Sequence, residues 1–330
     1  MKIDFNKLSG KKKEIYEDLW KDNPFSADVV LSGKKDYSYE FFNAMQVTSD
    51  SLSDIFELND KSLFREKFAQ VCSGSGDEIK KITTLHSSSL CALLFFYNVT
   101  ENNQLSFHGS ELSDIVFSDS IFEFKNKVIR SPSNVDVVLI GRNKKSNKSA
   151  LLFLESKFSE YITGMTKANR KYEIGKSYID KCDTKCIYQK EILDNFNITL
   201  DKTDTDKYYL IPSTDKYIEG IKQMVSHHVG IRNLITENFC DKNDDCSRKK
   251  ITTALSEEHE IFLGEIMFDG FPTQKDILNS YSNDYKKIAQ ELNSNFPDCG
   301  VKVLNEPLYY SMFKKIDFNV DKKVRQYYKI

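Results

Sequence analysis

The sequence has little that would mark a membrane protein, an exported protein or a strongly basic one. Its 330 residues carry 47 lysines and arginines against 49 acidic residues, which gives a formal charge of -2, so no overall positive field attracts polyanions. The most apolar run, LCALLFFYNV, is too short to cross a bilayer, and the opening residues lack an apolar stretch after their charges. We therefore expect a cytoplasmic protein that does not enter a membrane.

The cysteines show no pattern that predicts a disulfide framework. There are seven, an odd number, and they are scattered along the chain, which favours reduced thiols. The pairs Cys182/Cys186 and Cys240/Cys246 have three and five intervening residues, and these spacings match no common zinc pattern. We interpret the cysteines as structural thiols.

The residues that are abundant indicate a packed globular protein. Hydrophobic residues make up 40% of the chain, with 17 tyrosines and 23 phenylalanines, which favours a folded core over disorder. We predict a helical N-terminal appendage over residues 1–75, a core over 76–240 and a C-terminal α/β extension packed on that core over 241–330. The turn-forming run CSGSGDE, residues 72–78, supports the first boundary.

Short β-rich runs separated by turn chemistry predict an antiparallel meander in the middle of the chain. The runs are IFEFKNKVI, NVDVVLI and ALLFLESKF, and the turns are SPSN and GRNKKSNKS. Further strands are predicted at YYLIP and IFLGEIMF, and a helix over residues 170–179. Periodic apolar residues predict the other helices, which are KKKEIYEDLW, SLFREKFAQV, KKITTLHSSSLCALLFFYNV, IEGIKQMVSHHVGIRNLITENF and TQKDILNSYSNDYKKIAQEL.

The last two strands of the meander bring charged residues together. Side chains alternate along a strand, so Glu155 and Lys157 point to the same face. Asp136 and Glu155 lie almost symmetrically about Lys145 in the turn, so antiparallel pairing places them roughly opposite one another, with Cβ atoms about 5 Å apart. The spacing predicts two facing carboxylates with an ammonium beside them.

This group of charges predicts a metal site in a sheet that is otherwise apolar. Isolated buried charges are costly, and like charges directly opposite destabilise a pair of strands. A divalent cation between Asp136 and Glu155 accounts for them, and oxygen ligands favour Mg²⁺. Lys157 is then placed to neutralise transition-state charge, or to orient and deprotonate an attacking water.

The segment SNVDVVLI, the basic turn and LLFLESKF together resemble the signature of the PD-(D/E)xK nucleases, in which an Asp opens the second strand of a hairpin and Glu-x-Lys follows on the third. Val135 stands where that signature usually has proline. HSSSLCALLFF (86–96) resembles the first core helix of restriction-endonuclease-like bacterial members, and QMVSHHVGIRN (223–233) resembles the helix that packs across their sheet. The resemblance covers roughly residues 80–235.

The resemblance implies an α/β fold with a restriction-endonuclease-like core, in which helices flank a mixed central β-sheet containing a meander, plus helical additions. It implies hydrolysis of DNA phosphodiester bonds by a metal-dependent endonuclease of restriction or another defence type. Asp136, Glu155 and Lys157 are then the catalytic residues. Asp136 and Glu155 are the ligands of Mg²⁺, for which Mn²⁺ is a possible substitute.

Clusters of lysine and arginine predict where a DNA backbone is held, because phosphate contacts dominate affinity. KNKVIR (125–130), RNKKSNK (142–148) and TKANRKYEIGK (166–176) are expected to flank the acidic pair, with double-stranded DNA as the partner. The predicted contact residues are Arg142, Lys144, Lys145, Lys148, Lys167 and Arg170. Solvated charged loops are the alternative for any single cluster. A homodimer would suit an enzyme that cuts both strands of a duplex.

Several assignments stay open at the level of sequence. A further acid is expected near the site, and Glu78, Glu101 and Glu123 are equal candidates for it. His227 and His228 are interpreted as core or surface histidines, and the serines at 87 and 88 as helix caps. Taken singly, Asp136 could be a strand-edge acid and Glu155 with Lys157 a surface ion pair. A nuclease fold that binds nucleic acid without cleaving it, and an unrelated α+β interaction protein, are the alternative functions.

Overall fold

The structure is a computed structural model of the chain. It describes residues 3–31, 39–41, 48–73, 81–128, 132–164, 172–174, 198–203, 207–212, 218–236, 239, 242–296 and 300–330.

Helices and strands alternate in a pattern typical of an α/β protein. The α-helices of the described residues are α1 Gly10–Trp20, α2 Ser49–Ile55, α3 Lys61–Cys72, α4 Ser88–Phe96, α5 Glu160–Gly164, α6 Ile218–Ile235, α7 Asp245–Ser256, α8 Lys275–Asn295 and α9 Lys322–Tyr328. Short 3-10 helices span Phe5–Lys7, Pro24–Asp28, Pro272–Gln274 and Tyr310–Lys314. The strands are β1 Val29–Leu31, β2 Tyr39–Phe41, β3 Ile115–Lys127, β4 Pro132–Asn143, β5 Ser149–Lys157, β6 Tyr172–Ile174, β7 Ile198–Thr203, β8 Lys207–Pro212, β9 His259–Met267, β10 Lys302–Val303 and β11 Leu308–Tyr309.

The central sheet is mixed. Its strand order is β10-β9-β5-β4-β3, and β11 also pairs with β9. The neighbours β3, β4 and β5 are antiparallel, as the meander predicted, whereas β9 is parallel to β5 with Glu155 opposite Glu265. The strand predicted at IFLGEIMF is β9, which lies in the central sheet between β5 and β10.

Helices cover both faces of this sheet. On one face α4, whose residues are all buried except Ser88, packs with the N-terminal and C-terminal segments in the larger hydrophobic core. On the other face α6, α7 and α8 pack over β3, β4, β5 and β9 in a second core. Gly230 lets α6 approach closely, since an added Cβ would lie 2.6 Å from the Cβ of Asn126 on β3. The predicted α/β class, with a mixed sheet flanked by helices, is confirmed.

Most of the predicted helices and strands are confirmed. One predicted helix is partly a strand, and another is shorter than predicted. Part of the predicted helix at residues 170–179 is β6, which joins β7 and β8 in a separate three-stranded sheet. The apolar helix predicted from KKITTLHSSSLCALLFFYNV begins only at Ser88, because Ser87 caps it and accepts a hydrogen bond from the backbone N–H of Leu90 at 3.1 Å. Across the described ranges, no helix has the length and apolar character to span a bilayer.

Candidate functional site

A fork between β4 and β5 holds Asp136. The two strands pair from Arg142 opposite Ser149 as far as Val137 opposite Leu154, and the next pair in that register is Asp136 with Glu155, as the symmetry about the turn predicted. Beyond this point β4 pairs only with β3. The Asp136 carboxylate occupies the opening, where its Oδ2 accepts a hydrogen bond from the backbone N–H of Ser156 at 2.7 Å.

Side-chain alternation is broken near Asp136. Val135 and Val138 both belong to the core under α6, whereas Val137 belongs to the opposite core. Alternation along β4 would place Asp136, Val138 and Ile140 on one face. Val138 and Ile140 do pack on the α6 side, but the Asp136 carboxylate points to the edge of β5, where it accepts from Ser156 N–H. Asp136 is also the one partly exposed member of the predicted triad, whereas Glu155 and Lys157 are buried.

Glu155 and Lys157 do share one face, as predicted, and both are buried. The Lys157 ammonium donates to Glu155 Oε1 at 2.8 Å and to the Gln223 side-chain oxygen at 2.6 Å. Gln223 in turn donates to Glu155 Oε1 at 2.9 Å. These three side chains form a closed ring of hydrogen bonds between β5 and the helix that covers it.

His227, one turn after Gln223 on α6, completes the contacts of Glu155. Its Nε2 lies 2.9 Å from Glu155 Oε2, and its Nδ1 lies 2.7 Å from the Ser133 hydroxyl. Since a carboxylate accepts hydrogen bonds, Nε2 carries the proton in this contact. His227 and His228 are both buried, so their interpretation as core histidines is confirmed, and the His227 imidazole also orients the Glu155 carboxylate.

Glu123 is the candidate for the further acid that the structure brings to the fork. It lies on β3 between Phe122, which pairs with Val137, and Phe124, which pairs with Val135, so it is level with Asp136. Its φ of 51° is in the left-handed region, which costs a non-glycine residue roughly 1–2 kcal/mol. Glu101 instead lines a surface cavity together with Arg142, at the other end of the hairpin. Glu78 lies outside the described residues.

The acids of the site have pKa values displaced in opposite directions. Burial, followed by the negative charges of Glu155 and Glu123, raises the pKa of Asp136 well above its usual range. Burial alone would also raise the pKa of Glu155, but the Lys157 ammonium and the hydrogen bond from His227 outweigh it and lower that pKa to about 2. Burial disfavours the charged form of Lys157, yet the carboxylates of Glu155 and Glu265 hold its pKa above the usual range. The site therefore contains one close ion pair, Glu155 with Lys157, and one acid, Asp136, whose charged form is disfavoured by burial and by neighbouring carboxylates.

The basic loop at 142–148 is far from this site, so the prediction that it flanks the acidic pair is wrong. Asp136 and Arg142 are six positions apart on β4, about 20 Å at ~3.3 Å per residue. The loop cations are paired with nearby acids. The pairs are Arg142 with Glu257 at 2.7 Å, Lys145 with Asp114 at 2.7 Å and Lys148 with Glu258 at 3.7 Å, while Lys144 is exposed.

Of the other two basic clusters, the described part of KNKVIR lies at the fork end of the sheet. Lys127 ends β3 opposite Pro132, at the same end of the sheet as Asp136, and is exposed. Lys125 is buried and donates to the carbonyl of Ser73 at 2.7 Å, so it serves the fold. Lys167 and Arg170 lie outside the described residues.

Three buried or partly buried polar residues beside Glu155 and Lys157 were not predicted from the sequence, namely Gln223, His227 and Glu265. A polar pair one turn apart on an otherwise apolar helix face, QMVSH, was the available signal for the first two. An acid inside the apolar strand IFLGEIMF was the signal for the third. These patterns do not show which residues the side chains contact. Gln223 contacts Lys157, 66 residues away in sequence, and His227 contacts Glu155, 72 residues away.

Among the described residues, no group of three or more His, Cys, Asp and Glu side chains is arranged to hold a metal ion. Comparisons of the chain with models of protein families, with curated proteins and with solved structures give no match.

Proposed function

We propose that this protein is a metal-dependent endonuclease that hydrolyses DNA phosphodiester bonds, with a restriction-endonuclease-like core of the PD-(D/E)xK kind. The observation that carries the proposal is the meeting of Asp136 and Glu155 at the β4–β5 fork, with the Lys157 ammonium 2.8 Å from Glu155. Two acids and a buried cation at a strand opening are expensive for stability. A chemical role for these groups explains why the sheet contains them.

The donor set at the fork suits a hard divalent cation. Mg²⁺ is usually held by one or two carboxylates together with waters and substrate phosphate, and the two proposed ligands are carboxylates. The raised pKa of Asp136 arises partly from Glu155 and Glu123, and a cation would relieve that repulsion. Asp136 and Glu155 are the proposed ligands, with Mn²⁺ as a substitute. When bound, the cation would polarise the scissile phosphate and lower the pKa of a bound water.

Lys157 has a hydrogen-bond donor to spare for the reaction. An ammonium group has three N–H donors, and Glu155 and Gln223 use two of them. In the part of the chain that the structure describes, the third donor has no protein acceptor. It is available for a phosphate oxygen or the attacking water, where positive charge stabilises the transition state.

Double-stranded DNA is the proposed substrate, and restriction or another defence reaction is the setting that the family resemblance favours. Lys127 is the exposed cation at the fork end of the sheet. The loop cations Arg142, Lys144, Lys145 and Lys148 lie about 20 Å away, a distance that a duplex lying along the hairpin can span. Lys167 and Arg170 remain proposed contacts. A homodimer would provide two such sites for the two strands.

DNA binding without cleavage is the second candidate function, and the bonding of Glu155 favours it. Lys157, Gln223 and His227 together contact both oxygens of this carboxylate. A carboxylate held in this way must give up or share a contact to bind a cation. Cleavage assays separate the two functions, because only the first requires the metal.

The test is incubation of the purified protein with circular duplex DNA, in Mg²⁺ and in EDTA. We expect nicked or linear products with Mg²⁺ alone, none with Asp136→Ala or Glu155→Ala, and at least ~100-fold slower single-turnover cleavage by Lys157→Ala. Lys157→Arg should not restore the rate, since guanidinium is bulkier and always charged. Lys286→Ala and Glu306→Ala, which break an exposed ion pair of 3.0 Å, are matched controls. DNA retention by the wild type without any cleavage would favour the binding function.

A further inference from the structure

Another buried carboxylate, that of Glu265, lies beside the proposed catalytic residues. Glu265 is on β9, in register with Glu155 on the parallel strand β5, and is only 1% exposed. In-register residues of neighbouring parallel strands point to the same side of the sheet. Glu265 therefore faces the same space under α6 and α8 as Glu155 and Lys157.

The hydrogen bonding of Glu265 is incomplete. Its Oε2 accepts a hydrogen bond from the Tyr281 hydroxyl at 2.9 Å, but its buried Oε1 has no hydrogen-bond partner in the structure. Burial raises the pKa of Glu265 to about 7. Leaving one oxygen of a buried carboxylate unpaired costs about 1–3 kcal/mol or more, so a purely structural residue at this position would be disfavoured.

The opposite charge available to Glu265 is the Lys157 ammonium. Both side chains are buried, and they lie on the neighbouring strands β5 and β9. Glu265 and Lys157 are diagonal neighbours, because Lys157 lies two residues beyond the in-register partner of Glu265. The unpaired oxygen of Glu265 and the Lys157 ammonium thus lie on the same side of the sheet, on neighbouring strands.

We propose that Glu265 is a positioning residue that anchors the Lys157 ammonium at the β5–β9 side of the fork. This inference rests on the proposed function. The ammonium is bound to Glu155, which is also a proposed metal ligand, so a Glu155 side chain that turned to a cation would draw Lys157 with it. The Glu265 carboxylate supplies a second anionic neighbour from a different strand, which keeps the ammonium in place when Glu155 changes its contacts.

The first test is a double-mutant cycle on the metal-free protein, using Glu265→Gln, Lys157→Met and the double variant. The melting temperature at pH 8 is compared before and after Glu265→Gln in two backgrounds, the wild type and Lys157→Met. The change caused by Glu265→Gln should be more positive by about 2 °C or more in the Lys157→Met background. In that background Glu265 is a buried acid without a counter-charge, so its replacement is favourable. Equal shifts in the two backgrounds would overturn the inference. This readout needs neither metal nor DNA.

The second test measures single-turnover cleavage and DNA affinity separately. Glu265→Gln should slow cleavage about tenfold with unchanged DNA affinity, and should have no further effect in Lys157→Met. Tyr281→Phe is the matched control, since it removes the hydrogen bond to Oε2 but keeps the charge, and its rate should stay within twofold of the wild type. A wild-type rate for Glu265→Gln overturns the inference and leaves the nuclease proposal standing. A wild type that never cleaves removes the proposed function, and the positioning role falls with it.

Discussion

Asp136 and Glu155 both carry a carboxyl group, but their negative charges affect the stability of the fold in opposite directions. Glu155 is held by Lys157, Gln223 and His227, so its charge is compensated. Asp136 has the Ser156 N–H but faces two other carboxylates. Removal of each charge should therefore change stability in opposite directions, although both changes should abolish the proposed cleavage.

Asp136→Asn should leave stability unchanged near pH 4 and raise it increasingly at higher pH. The folded pKa of Asp136 is raised, so its contribution to stability is present below the unfolded pKa, near 3.8, and is lost as the pH rises through the folded value. Asparagine retains an oxygen that can accept from Ser156 N–H. Thermal unfolding between pH 4 and 9 measures the difference, and a constant offset across that range would contradict the electrostatic explanation.

Glu155→Gln should instead destabilise the protein at neutral pH, by about 3 kcal/mol or more, because it leaves Lys157 as an insufficiently paired buried charge. The folded pKa of Glu155 is lowered to about 2, so its stabilisation is present above the unfolded pKa of about 4.5 and is lost as the pH falls towards 2. The penalty of the variant should shrink over that acid range. Urea unfolding at pH 7 and pH 3 tests this, and an equal penalty at both values would count against the ion pair.

At the scale of elements, the length of the β4–β5 hairpin separates the acids from the basic loop. Its open end holds the acids, and its turn holds the basic loop about 20 Å away. α6 crosses the sheet at the open end, where it supplies Gln223 and His227 and reaches β3, whose Lys127 carbonyl accepts from Asn233 at 2.8 Å. Chemistry and any phosphate contacts of the loop should therefore be separable by mutation.

Replacing Lys144, Lys145 and Lys148 together by alanine should weaken DNA binding and flatten its dependence on salt, because fewer counterions are released. The single-turnover rate at saturating DNA should not change, since the loop is remote from Asp136. Binding titrations at several salt concentrations give the slope. The same replacement at Lys13, Lys322 and Lys323, on helices outside the sheet, is the control. An unchanged slope would mean that the loop is only solvated.

At the scale of the whole molecule, the N-terminal segment is part of the main core. Trp20 on α1 is fully buried, 5.7 Å from the ring of Tyr327 and 6.4 Å from that of Phe158, which follows Lys157 directly. Asp321 also accepts hydrogen bonds from Asn59 and Tyr97. The described residues of the N-terminal segment thus share their packing with the C-terminal residues and with the segment that carries the proposed lysine.

We expect the single tryptophan to report unfolding of the entire protein. Trp20 fluorescence and far-UV circular dichroism should give coincident urea transitions, because the N-terminal helices and the sheet share one core. A chain lacking residues 1–75 should lose the wild-type melting transition. A separate, earlier fluorescence transition would show instead that the N-terminal segment unfolds as an independent unit.

The sequence by itself determined the features that depend on neighbouring residues. Alternation along a strand is local, so the common face of Glu155 and Lys157 followed from their spacing, and the symmetric turn set the register that brings Asp136 level with Glu155. The meander, most helices and the Ser87 cap were predicted for the same reason. The proposed chemistry rests on this local part of the fold.

Tertiary structure alone decided what surrounds those residues. How distant segments pack decides four features of the site. These are the fork at Asp136, the position of Glu123 nearer to Asp136 than Glu101, the contacts of Glu155 with α6 and the position of Glu265 next to Glu155. Charge clusters next to one another in sequence can lie at opposite ends of a hairpin, as the loop at 142–148 does, because a strand of nine residues extends about 30 Å. Local periodicity shows which way a side chain points, whereas its counter-charge and its exposure to water are set by strands and helices that are remote in sequence.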